Sequence, residues 1–222
     1  MHKRLFFLSI IPVILASCLN KDKEPDKKDI YANYFISGEE GKEFVTVFFQ
    51  FSNGPEALAS VLPQPAKVFL DDKLLTPDST KRSGVFYEMQ IPVDEFTGAH
   101  TIRFINEDKK EYREEFSFTP FRVLKPFDGI VNRNEMVVNV EGLRNQDLVR
   151  VVMTDTSFKG EGVNEMDTVK NNQLDLRKFL PAITNGPVIL HLFKEEERNL
   201  HNGQRGKISI TYGLKREFEL KD

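Results

Sequence analysis

Apolar residues that return at every second position, in runs of strand length, set the limits on what this chain can fold into. Val45, Val47, Phe49 and Phe51 share one face of such a run, while Phe44, Thr46, Phe48 and Gln50 share the other. Only an extended backbone sends alternate side chains to opposite faces, so the spacing predicts a strand. The same pattern predicts strands over residues 30–37, 43–51, 67–72, 85–91, 100–106 and 112–119. It continues over residues 136–140, 147–154, 187–194, 207–213 and 214–220. No segment sustains a 3.6-residue apolar period, and the best helical stretch is the short one at residues 56–61. The chain reads as all-β.

The connections set the domain plan. A length of 222 residues suits one large domain or two small ones. Polar segments at residues 76–83 and 155–166 read as loops, and residues 194–197 as a charged turn. Pro120-Phe121 to Asp128-Gly129 is a short apolar break between two sets of strands. Ile91-Pro92, Phe96 and Gly98 precede one strand, and Leu174, Phe179 and Gly186 precede another, which is a weak internal repeat. Short strands separated by turn signals are the pattern of β-sandwiches, here one at 30–120 and one at 121–222.

The N-terminus is of another kind. His2, Lys3 and Arg4 are followed by an apolar run from Leu5 to Leu15, 11 residues long. A membrane-spanning helix needs about 20, so the run fits the core of a secretory signal. Leu15-Ala16-Ser17-Cys18 then resembles the lipobox of bacterial lipoproteins. The resemblance implies a signal peptide at 1–17, cleavage before Cys18, and lipid on the Cys18 sulfur and on the new amino group. Several acyl chains anchor a protein firmly without a transmembrane helix. Residues 18–29 are nearly all charged and read as a lipidated, solvated tether. Lys21, Asp22 and Glu24 resemble the surface-export signal of Bacteroidota lipoproteins, which implies the outer membrane and its cell-surface face. Residues 30–220 resemble the tandem immunoglobulin-like modules of those lipoproteins. The antibody-type pattern is excluded, because the chain has no Trp and a single Cys.

Chemistry is sparse. A net charge of −3 argues against nucleic acid as a partner. One cysteine excludes a disulfide scaffold and a Cys-rich zinc site. His100, His191 and His201 lack the spacing of metal ligands, and no nucleophile elbow or phosphate loop occurs. Asp71-Asp72 reads as a turn, and Glu114-Glu115 and Glu195 to Glu197 as solvated strand ends. No catalytic residue, metal site or cofactor is expected apart from the covalent lipid on Cys18. Ser79 and Thr168 stand in Asp-Ser-Thr and Asp-Thr-Val triplets that resemble an O-glycosylation signal of Bacteroidota exported proteins. Phe44, Phe48 and Phe86 form either a second buried layer or an exposed patch. The expectation is a non-enzymatic, lipid-anchored envelope protein that binds a protein or glycan through its end loops, residues 76–83 and 155–166. The alternative is a periplasm-facing accessory or structural subunit of an outer-membrane complex.

Overall fold

The computed structural model describes residues 30–222 except 82–83, 126–128, 157–159 and 202. Eight strands come first: β1 Tyr31–Glu39, β2 Phe44–Ser52, β3 Lys67–Leu70, β4 Lys73–Leu74, β5 Pro77–Thr80, β6 Gly84–Pro92, β7 Gly98–Ile105 and β8 Glu111–Phe118. Eight more follow: β9 Arg122–Val123, β10 Ile130–Asn132, β11 Val137–Glu141, β12 Leu148–Asp155, β13 Val163–Thr168, β14 Gln173–Asp175, β15 Gly186–Asn199 and β16 Arg205–Lys221.

Strand order defines the class. In the first half, β1-β2-β6-β5 run side by side in one layer, and β4-β3-β7-β8 form the facing layer. That is the ABED and C′CFG arrangement of an immunoglobulin-like sandwich. In the second half, β14-β11-β9 face β13-β12-β15-β16, with β10 added in parallel to β16. This is the same plan again. The weak repeat falls on equivalent connections, β6 to β7 and β14 to β15, each leading from one layer of its sandwich to the other.

One hairpin belongs to both sandwiches. β15 and β16 pair along their whole length, from Gly186↔Leu220 to Asn199↔Lys207. β1 then pairs in parallel with the first half of β16, from Tyr31↔Arg205 to Glu39↔Gly213. The result is a continuous nine-stranded sheet on which the two smaller sheets sit side by side. The tip of the hairpin, which sequence order assigns to the second half, thus lies in the large sheet of the first sandwich.

Alternation explains the packing. Tyr34, Ile36, Val47, Phe49 and Phe51 point inward from β1 and β2, against Val68, Ile102, Phe104 and Phe118 of the smaller layer. Phe51 stacks on Phe104 at 5.2 Å, and Tyr34 tilts against Phe49 at 4.6 Å. In the second sandwich, Val149, Val151, Leu190, Leu192 and Leu214 are buried with Val138, Val140 and Leu174. Tyr212 makes edge contacts with Phe118 and with Phe121 of the connecting segment, so the two cores meet. Phenylalanine and tyrosine carry the aromatic packing that Trp supplies in antibody domains.

Four sequence expectations change. Residues 56–61 form no helix: a turn ends at Glu56 and residues 58–61 are irregular, because a stretch this short before Pro63 and Pro65 cannot repay helix nucleation. Residues 76–83 contain the edge strand β5, whose four residues are all exposed and therefore show no apolar alternation. Of the expected loop 155–166, residues 163–166 lie within β13 and Asp155 ends β12. Residues 207–213 and 214–220 are one strand. Gly213 is not a break there: a Cβ on it would lie 2.8 Å from the Phe193 ring, so glycine makes room for that ring on the facing strand.

Candidate functional site

A cleft lies where the sandwiches meet. Its origin is a mismatch in width between layers. β8 is the last strand of the first sandwich's smaller sheet, while β16 and β15 continue the large sheet beyond it. The composition of β15 records where the cover ends. Val188, Leu190 and Leu192 point inward and are buried, and on the same face Lys194, Glu196 and Arg198 follow. The charged run from Lys194 is therefore not a turn, since the strand continues to Asn199.

The cleft encloses about 790 Å³. Lys194, Glu196, Arg198, Ile210 and Tyr212 form its floor. Residues 115–119 and His100 form one wall, and Gly142 and Arg144 the other. Asp147 secures the second wall: its carboxylate accepts a bond from the Arg144 N–H at 2.9 Å and from Lys194 at 3.2 Å. Burial raises the pKa of that carboxyl, but these bonds outweigh burial and hold it below the ordinary aspartate value.

A buried ion cluster closes the hairpin onto the first sandwich. Glu114 is 1% exposed. Its Oε1 accepts bonds from the Arg198 guanidinium and pairs with His201 Nδ1 at 2.9 Å, and its Oε2 accepts the His201 N–H at 2.8 Å. Arg198 also donates to the Glu115 carbonyl at 2.8 Å. Burial pushes the Glu114 carboxyl up, yet the three bonds from His201 and Arg198 together bring it below the usual glutamate value. Glu114 is thus a buried anchor, whereas sequence order placed it with solvated strand ends. The sequence hides this because a single Glu does not reveal that Arg198, 84 positions on, returns to it. Nearby, Gln204 donates to the Tyr34 hydroxyl at 2.9 Å, and burial pushes that hydroxyl well above the phenol range.

The histidines are dispersed. His100 stacks on Phe96 at 3.9 Å and is held by Asp71 at 2.7 Å and the Phe96 carbonyl at 2.7 Å. Asp71 and Asp72 both have positive φ, as turn residues do. His191 lies on the opposite face of the large sheet, parallel to Phe193 at 5.8 Å. Among the described residues no group of three His, Cys, Asp or Glu is arranged to hold a metal.

The other sequence-derived positions scatter. Cys18, Lys21, Asp22 and Glu24 lie outside the described residues, as does part of each end loop. Ser79 is exposed on β5, and Thr168 is half-buried at the end of β13, its N–H held by Asp167 at 2.7 Å. β5 and β13 stand at opposite margins of the large sheet. The loops 76–83 and 155–166 therefore do not form one contact surface.

The outer face of the large sheet carries aromatic rings. Phe48 stacks on Phe86 at 5.0 Å and tilts toward Phe35 at 6.2 Å. Phe86 is buried, Phe48 half-buried, and Phe35 and Phe44 are 41% and 40% exposed. These rings are not a buried layer between sheets, since the smaller sheets cover the other face.

Comparison with known proteins gives no family model and no curated protein that matches the chain. Solved structures that match include DIP-gamma IG1+IG2, at 10% identity over 88% of this chain and 99% of that one, with a TM-score of 0.24. Dpr11 IG1 bound to DIP-gamma IG+IG2 matches at 9% identity over 83% and 94%, TM-score 0.24. Titin-A168169 matches at 11% identity over 88% and 97%, TM-score 0.23. The class itself, an all-β chain of two tandem immunoglobulin-like sandwiches, follows from the strand order above.

Proposed function

We propose that this chain is a non-enzymatic, lipid-anchored envelope protein that binds a protein or glycan partner at the cell surface. The observation that carries the binding reading is the open cleft at the junction, a concave site between two rigid sandwiches. Its charged groups are ion-paired within the chain: Lys194 with Asp147, and Arg198 with Glu114 and Glu196. None is paired as a nucleophile with its base. The lipobox Leu15 to Cys18 supports the anchor, and Lys21, Asp22 and Glu24 support the outward orientation. A second reading, a periplasm-facing accessory subunit, draws support from the apolar outer face, where Phe35, Phe44, Leu148 and Met166 are exposed. Permanent interfaces are larger and more apolar than transient ones.

Protease added to intact cells separates the two. Loss of the chain from intact cells is the expected result. Protection until lysis would favour the accessory subunit. Cys18→Ala is expected to release the chain from the membrane fraction; retention of that variant in membranes would remove the lipid anchor from the proposal.

A further inference from the structure

The wall of the cleft is a sheet edge. β8 pairs with β7 and with no other strand among the described residues. At eight residues it is the longest edge strand of the described structure; β13 has six, β5 four, and β4, β9, β10 and β14 three or fewer. Proteins commonly keep exposed edges short, because unpaired N–H and C=O groups invite another strand.

Two observations fix which groups face outward. The Thr101 carbonyl accepts from Asp71 N–H at 3.0 Å, and Thr101 N–H donates to Asp71 Oδ1 at 2.9 Å, so both point away from β8. Thr101 and Glu115 are register partners, hence a pair without mutual hydrogen bonds. The Glu115 carbonyl points outward accordingly and accepts Arg198. Alternation then places the N–H and C=O of Ser117, opposite Ala99, on the same open side. Glu115 and Ser117 both line the cleft.

We propose that this edge takes up an extended peptide segment as an added strand, seated over the hairpin. The inference rests on the binding reading above and names the partner's form. An added strand lies about 4.8 Å from β8 and sends alternate side chains toward the layer beneath. Those side chains recur every two residues, roughly 6.8 Å, the same interval as Lys194, Glu196 and Arg198 on the floor. The floor therefore favours a segment with an acidic and a basic residue two positions apart, the acidic one sharing Lys194 with Asp147 and the basic one sharing Glu196 with Arg198. Main-chain bonds to Ser117 and the Glu115 N–H supply affinity, and the charges supply register.

The test selects binders to the purified full chain from a displayed library of linear peptides and measures them against two variants. Ser117→Ala keeps the outward N–H and should bind within about twofold of the native chain. Ser117→Pro removes that N–H while leaving the β7 ladder intact, as an edge position tolerates. It should lose about tenfold or more, with unchanged circular dichroism. Should Ser117→Pro fail to fold, hydrogen exchange on the native chain decides: the Glu115 and Ser117 amides should slow when peptide is added. Equal binding by a folded Ser117→Pro, or protection elsewhere, overturns strand addition. Selection of no peptide, with binding to a panel of soluble polysaccharides, overturns strand addition and leaves the binding reading in place. Binding to neither probe removes both.

Discussion

Glu114→Ala should cost about 3–5 kcal/mol of stability, measured as a fall in the urea midpoint. The carboxylate is buried and takes three bonds from Arg198 and His201. Its removal leaves the half-buried guanidinium with only Glu196 and the Glu115 carbonyl, and leaves the His201 N–H without its acceptor. Breaking one side of such a pair costs more than the pair contributes. Arg198→Ala should be nearly as damaging, and the double variant should cost clearly less than the sum of the two. Additive costs would mean that Arg198 and Glu114 act independently, and the clasp would be discarded.

The same group sets a pH dependence. The folded-state pKa of Glu114 lies below its ordinary value of 4.5. A depressed carboxyl stabilises the fold above its unfolded pKa, and that contribution fades as pH falls through the folded value. The native chain's advantage over Glu114→Gln should therefore be full near neutral pH and narrow below pH 4.5. Cleavage by pepsin, which is active at these pH values, should rise near the hairpin tip at Leu200 over the same window in the native chain. An advantage that stays constant into that window would show that the bonds, and not the charge, hold the hairpin.

What the sequence discloses and what it conceals follow from one physical distinction. Alternation reports burial on one face, so strands with a clean apolar row, such as Val45 to Phe51, stand out. β5, exposed along its length, gives no signal, and neither does β13, whose inward positions are Val163, the exposed Glu165 and the buried Asp167 held by Lys178, only one of them apolar. The shared hairpin is concealed differently. Gly213 and the charged run from Lys194 carry the local marks of breaks, yet one accommodates the Phe193 ring and the other floors the cleft. Both roles depend on neighbours distant in sequence. The cleft has a trace all the same: the switch from Val188, Leu190 and Leu192 to Lys194, Glu196 and Arg198 on one face. Such a switch within a strand means that the covering layer stops. The ion cluster around Glu114 leaves no comparable trace, because pairing across more than 80 positions has no local signature.

Gly206→Ala should be as damaging, with a loss above about 4 kcal/mol, in the range that steric conflict in a packed site produces. Gly206 is the register partner of Ala32 where β1 runs parallel to β16. A Cβ there would lie 1.8 Å from the Ala32 carbonyl oxygen and 2.7 Å from its carbon. The obstacle is backbone, which cannot rotate aside as a side chain can. The residue also holds φ of +133°, which disfavours any L side chain. Gly203, in the turn of the same hairpin, is the control. Its φ is +76°, but a Cβ meets nothing within 4 Å, so Gly203→Ala carries backbone strain alone, about 1–2 kcal/mol. The difference between the two variants isolates the β1–β16 approach. If Gly206→Ala melts no lower than Gly203→Ala, β1 does not lie against the hairpin as described, and the nine-stranded sheet would be two separate sheets. If it melts much lower, β1 is fixed to β16, and one sheet ties both sandwiches together.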